Sequence, residues 1–71
     1  MLDLVNAVRH HAMANYDVDG WDYLVECYDD GDIIEIISDA EATTVPEAIK
    51  AVHKEVKFQD DYRKEIESTE F

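Results

Sequence analysis

Residues 29–37 read DDGDIIEII, and whether this stretch is strand or helix decides the fold class. Four isoleucines, Ile33, Ile34, Ile36 and Ile37, are β-branched and suit a strand. A half-buried strand alternates apolar and polar residues strictly, whereas Glu35 here stands between two adjacent apolar pairs. Apolar positions at i, i+1, i+3 and i+4 fall instead on one side of a helix. Asp30 or Asp32 can cap such a helix, and Gly31 suits the left-handed exit of the helix before it. The stretch is therefore read as helix.

Working outward, the same period recurs on both sides. Leu4, Val5, Val8 and Ala12 form the stripe of a first helix, and the segment from Asn15 to Gly20 carries the turn residues that end it. Trp21, Leu24, Val25 and Tyr28 share the face of a second. Towards the C-terminus TVPE (44–47) is a helix start: Thr44 caps, Glu47 three residues on completes a capping box, and Pro46 lies in the first turn, where its missing N–H costs little. That helix buries Val45, Ala48, Ile49, Val52 and Val56. Beyond Lys57 a new stripe of Phe58, Tyr62 and Ile66 begins, so the helix either bends near Phe58 or carries a second apolar strip. The strip either marks self-association, a possible homodimer, or folds back on the first helix. The pairs Asp60–Lys64 and Arg63–Glu67 are expected to be exposed i,i+4 supports. The expectation is one all-α domain, residues 1–71, a small four-helix domain with helices at about 2–15, 21–29, 32–40 and 44–68.

The chain has 71 residues and an apolar fraction of 46%, enough for one folded unit with a modest core. Cys27 is the single cysteine and forms no internal disulfide, which fits a reducing compartment. No apolar run approaches the roughly 18 residues of a membrane span. MLDLVNAVRHH (1–11) has an acid at position 3 and no basic flank, unlike a secretory signal. A cytoplasmic, soluble protein is expected.

Charge is the strongest signal. Eighteen acids against six Lys and Arg give a formal net charge of −12. Ten of those acids lie between Asp17 and Glu41, a span without Lys or Arg. Such a surface repels nucleic acid and anionic membranes and attracts cations or basic protein surfaces. The acidic interaction face comprises Asp17, Asp19, Asp22, Glu26, Asp29, Asp30, Asp32, Glu35 and Asp39. Carboxylates along two short helices reach a linear charge density like that of duplex DNA, about one charge per 1.7 Å. The expected partner is a basic protein surface such as that of a nucleic-acid-binding protein, met by DNA mimicry. Tyr16, Trp21, Tyr23 and Tyr28 would either anchor that interface or turn inward.

Two other classes stand beside it. NYDVDGWDYLVE (15–26) places Asn15, Asp17 and Asp19 at steps 1, 3 and 5. Gly20 stands at step 6, the Trp21 carbonyl at 7 and Glu26 at 12, as in an EF-hand calcium loop. Against this, step 1 is neutral, step 8 is Asp22 rather than an apolar residue, and no sister loop exists. A helix–helix turn capped by Asp19 or Gly20 is the expected reading, with a single Ca²⁺ site the alternative and no other cofactor. The third class is a structural or homodimeric module.

Catalytic signatures are lacking, and an enzyme is not expected. His10 and His11 point to different helix faces and His53 stands alone, so the spacing of a transition-metal site is missing. Cys27 sits among acids, which disfavour a reactive thiolate, and is expected to be a small buried residue. GWDYLVECYDDGDIIEII (20–37) and QDDYRKEIES (59–68) resemble segments of short phage and mobile-element proteins of no known activity. The resemblance implies a phage-type accessory role and carries no functional residue.

Overall fold

The computed structural model describes residues 1–18 and 20–69. Among the described residues there are four helices and no strand: α1 (Leu2–Ala14), α2 (Trp21–Cys27), α3 (Asp30–Asp39) and α4 (Val45–Thr69). The expected all-α architecture is the one observed. α1 and α4 are the frame, each packing on the other and on both short helices. Val5, Val8 and Ala12 of α1 meet Trp21 and Leu24 of α2, Ile33 and Ile37 of α3, and Ala48, Val52 and Val56 of α4 in one buried cluster. Burying these apolar faces stabilises the fold by about 25 cal/mol per Å² removed from water.

DDGDIIEII becomes helical at Asp30, two residues earlier than the expected start at about 32. Asp29, rather than Asp30 or Asp32, is the N-cap: its Oδ1 accepts the Asp32 N–H at 2.9 Å, and Asp32 Oδ2 reaches back to the Asp29 N–H at 3.4 Å. Gly31 thus lies inside the first turn of α3 and does not serve as the left-handed exit of α2. α2 ends at Cys27, with Tyr28 extended (φ −104°, ψ 134°).

The end of α3 supplies the left-handed residue instead. Glu41 has φ 55°. Its N–H donates to Ser38 O at 3.1 Å and the Ala42 N–H donates to Ile37 O at 3.2 Å. Those two bonds make a Schellman motif with glutamate where glycine is usual. Thr44 opens α4 as expected, its Oγ1 accepting the Glu47 N–H at 3.4 Å, while Glu47 reaches the Thr43 N–H at 3.5 Å.

α4 is uninterrupted over 25 residues, about 37 Å at 1.5 Å per residue. Its buried row runs Ala48, Val52, Val56 and on to Asp60. The apolar register therefore does not rotate to Phe58 to stay in the core. Phe58, Tyr62 and Ile66 form a second strip, 65%, 55% and 43% exposed, and do not fold back on α1. No described helix is long and apolar enough to cross a membrane.

Candidate functional site: the α3 carboxylates and the groove beside them

Of the nine residues of the expected acidic face, Asp19 lies outside the described residues, and the others occupy three settings. Asp17 is exposed in the turn before α2, and Asp22 is half-buried in the first turn of α2. Glu26 accepts the Tyr16 hydroxyl at 2.7 Å. At the α2–α3 junction Asp29 caps α3, and Asp30 is bound by Arg9 of α1, Nε to Oδ1 at 2.6 Å. The same guanidinium donates from Nη2 to Tyr28 O at 3.1 Å, fixing the chain between α2 and α3. Asp30 is thus neutralised by a cation of its own chain.

Asp32, Glu35 and Asp39 form the third setting. At about 100° per residue they fall within about 60° of one another around α3, opposite neither solvent nor core but along the rim of an open groove. α4 forms the other wall. Ile36 and Ala40 of α3 and Ala51 and Phe58 of α4 supply the apolar lining, Tyr28 closes one end, and Lys54 and Lys57 stand on the α4 rim. Among the described residues these two lysines are not within ion-pair distance of the α3 carboxylates. The row is therefore open to a partner.

Tyr28 is pushed up to about 12, first by burial and then by the negative potential of Tyr23, Glu55 and Asp32. Its hydroxyl stays protonated and can donate a hydrogen bond at the groove end. The Tyr16 hydroxyl is also held above its ordinary value, chiefly by its bond to Glu26.

Of the calcium-loop residues, Asp19 lies outside the described residues, Asp17 is exposed, and Asn15, Glu26 and Trp21 have places of their own. Asn15 Nδ2 donates to His11 O at 2.8 Å, closing the end of α1. Glu26 is engaged by Tyr16. Trp21 begins α2 and is buried, so its carbonyl points along a helix axis rather than into the loop. Gly20, at φ 94°, lets the turn approach α4: a Cβ there would stand 3.2 Å from Lys57 Cα and N. Among the described residues no three His, Cys, Asp or Glu side chains converge as metal ligands.

No protein-family model, curated protein sequence or solved structure matches this chain. The chemistry must be read from the side chains alone.

His11 and His53 pack on Trp21 from two sides, the first edge-on at 5.2 Å, the second stacked at 4.6 Å. His10 is exposed. Cys27 is exposed rather than buried, because α2 ends there and its side chain falls outside the Trp21–Leu24 face. Tyr23 and Tyr28 meet edge-to-face at 5.5 Å, with Arg63 over the Tyr23 ring at 4.9 Å. Of the four aromatics considered as anchors, only Tyr16 is exposed. Asp60, expected on the surface, is 2% exposed and takes Arg63 Nη2 at 3.2 Å and Lys64 Nζ at 3.1 Å. The groove itself was missed from the sequence, although Lys50, Lys54 and Lys57 before Phe58, with Asp61 and Glu65 after it, were a readable signal.

Proposed function

We propose that this protein is a non-enzymatic interaction module whose α3 carboxylates engage a basic protein surface, in the manner of a DNA mimic. One observation carries the proposal: Asp32, Glu35 and Asp39 project in one row, exposed and unpaired with Lys or Arg. Their axial separations, three and four residues, correspond to about 4.5 and 6 Å at 1.5 Å per residue. Including Asp29 and Asp30, α3 and its cap carry five acids over 11 residues, about one per 3.3 Å. One strand of duplex DNA carries one charge per about 3.4 Å. Arg9 neutralises Asp30, so the mimicry rests on the remaining four, about one charge per 4.1 Å and somewhat sparser than one DNA strand. The fitting partner is a nucleic-acid-binding protein, and the resemblance to phage and mobile-element proteins makes an accessory role against such a protein the natural setting.

The test is capture from host lysate with the parent protein and with the triple variant Asp32→Asn, Glu35→Gln, Asp39→Asn. A basic nucleic-acid-binding protein should be retained by the parent, released by excess duplex DNA and lost with the variant. Retention that ignores both the DNA and the three substitutions would end the proposal, as would capture of no basic protein.

A further inference from the structure

The strip Phe58–Tyr62–Ile66 and the α3–α4 groove lie on the same side of α4, and Phe58 belongs to both. We infer that a second copy of this chain covers them, with the two α4 helices antiparallel and the two-fold axis beside Phe58.

Charge along α4 fixes that register. At about 100° per residue, Lys50, Lys54, Lys57, Asp61 and Glu65 all fall on one flank of Phe58, between about 20° and 100° from it. The three lysines precede Phe58 and the two acids follow it. A two-fold axis perpendicular to paired helices sets each flank against the same flank of the partner with direction reversed. Centred on Phe58, Lys54 comes level with Asp61 of the second copy, and Lys50 with Glu65, each to within one residue, about 1.5 Å along the axis. Symmetry repeats both pairs. A parallel arrangement would set this flank against the other flank of the partner, where Ala51, Glu55, Tyr62 and Ile66 lie, and would form neither Lys54–Asp61 nor Lys50–Glu65. Rim pairs of this kind select orientation more than they add affinity.

The other flank accounts for the affinity. Ala51 and Glu55 lie there before Phe58, Tyr62 and Ile66 after it. Reversal brings Tyr62 of the second copy level with Glu55, and Ile66 level with Ala51. Beyond Ala51 lie Ile36 and Ala40, the apolar lining that one copy leaves open. Two aromatic and branched side chains thus enter a groove of matching chemistry, twice per dimer. The Tyr62 hydroxyl comes within reach of the Glu55 carboxylate. Contiguous exposed apolar surface on so small a domain is itself a mark of association.

Sedimentation over a concentration series tests this on the purified chain, with no other partner present, so its outcome is independent of the acidic-face proposal. The parent should be dimeric. Phe58→Lys should be monomeric with an unchanged helical circular dichroism spectrum, because the ring is exposed. Lys54→Glu and Asp61→Lys should each weaken dimerisation at least about tenfold, while the double swap restores it, the behaviour of directly interacting residues. A parent that stays monomeric at every concentration overturns the inference, and so does a double swap that dimerises no better than the single variants.

Discussion

The Trp21 indole lies flat on the His53 imidazole, centroids 4.6 Å apart and planes 14° from parallel, and thereby ties the first residue of α2 to the middle of α4. His11 of α1 meets the same indole edge-on. One side chain therefore joins three helices, and α2, with seven residues, is too short to hold without it.

Trp21→Ala is expected to cost about 3–5 kcal/mol, the range for deleting a buried aromatic. In a domain this small that approaches the whole stability, so the variant should lack a cooperative melt by circular dichroism. Trp21→Phe, which keeps an aromatic face between the two imidazoles, should melt cooperatively at reduced temperature. An alanine variant as stable as the parent would mean that α2 is held by other contacts.

The two glycines should respond to alanine with opposite signs. Gly20 combines φ 94° with a Cβ position 3.2 Å from the Lys57 backbone, so Gly20→Ala meets both strain and overlap and should lose more than about 1 kcal/mol. Gly31 is helical, and its Cβ would make an ordinary contact, 3.4 Å from Asp29 Oδ1. Gly31→Ala should gain about 0.5–1 kcal/mol. Urea midpoints of the two variants give the comparison directly.

Glu41→Gly should also stabilise the fold. Left-handed backbone costs a side-chain-bearing residue about 1–2 kcal/mol, partly offset by the greater freedom of glycine in the unfolded chain. A net gain of up to about 1 kcal/mol in chemical denaturation is expected, with the Schellman bonds from Glu41 and Ala42 kept. A loss would mean that the glutamate side chain makes a compensating contact.

These positions also mark where the sequence was legible. Helical period placed the body of all four helices, because Val5 and Val8, Trp21 and Leu24, Ile33 and Ile37, and Ala48, Val52 and Val56 follow one helical repeat each and end in one core. Exits were less readable: DDGD offers a glycine beside three possible caps, and the choice of Asp29 depends on where Arg9 draws Asp30. Glu41 carries no sequence signal for a left-handed residue; its conformation goes with the Ala42 N–H to Ile37 O bond that closes the turn and the burial of both residues. The acidic row was visible as composition. Its division, with Asp30 bound by Arg9, Glu26 by Tyr16 and only Asp32, Glu35 and Asp39 on the groove rim, depends on helix packing. Pairwise spacing likewise suggested that Asp60 was a surface partner of Lys64, whereas continuation of the Val52–Val56 row buries it.

That buried carboxylate has an ordered set of consequences. The Arg63 and Lys64 side chains are about half exposed, while that of Asp60 is not. Removing both cations by Arg63→Ala and Lys64→Ala leaves a charge in the interior, at a cost of about 1–3 kcal/mol. Asp60→Asn removes the charge together with its pairs and should cost less. If urea denaturation ranks the asparagine variant below the double alanine variant in stability, burial of the charge is not what the two cations compensate.

Tyr28 gives the alkaline limit of the fold a specific origin. Its hydroxyl is pushed up to about 12, above the ordinary 10.0, because burial and the neighbouring Tyr23, Glu55 and Asp32 disfavour the phenolate. The folded chain therefore holds this proton over a range where the unfolded chain has released it, and stability falls as pH rises. The contribution is complete below pH about 10 and is lost progressively towards about 12. Tyr16 acts in the same direction through its bond to Glu26, so the parent loses stability from both. Tyr28→Phe removes one source, and urea midpoints measured at pH about 9 and about 11 should fall less in that variant than in the parent. Equal falls would place the alkaline sensitivity elsewhere, because phenylalanine keeps the ring at the groove end while abolishing the ionisation.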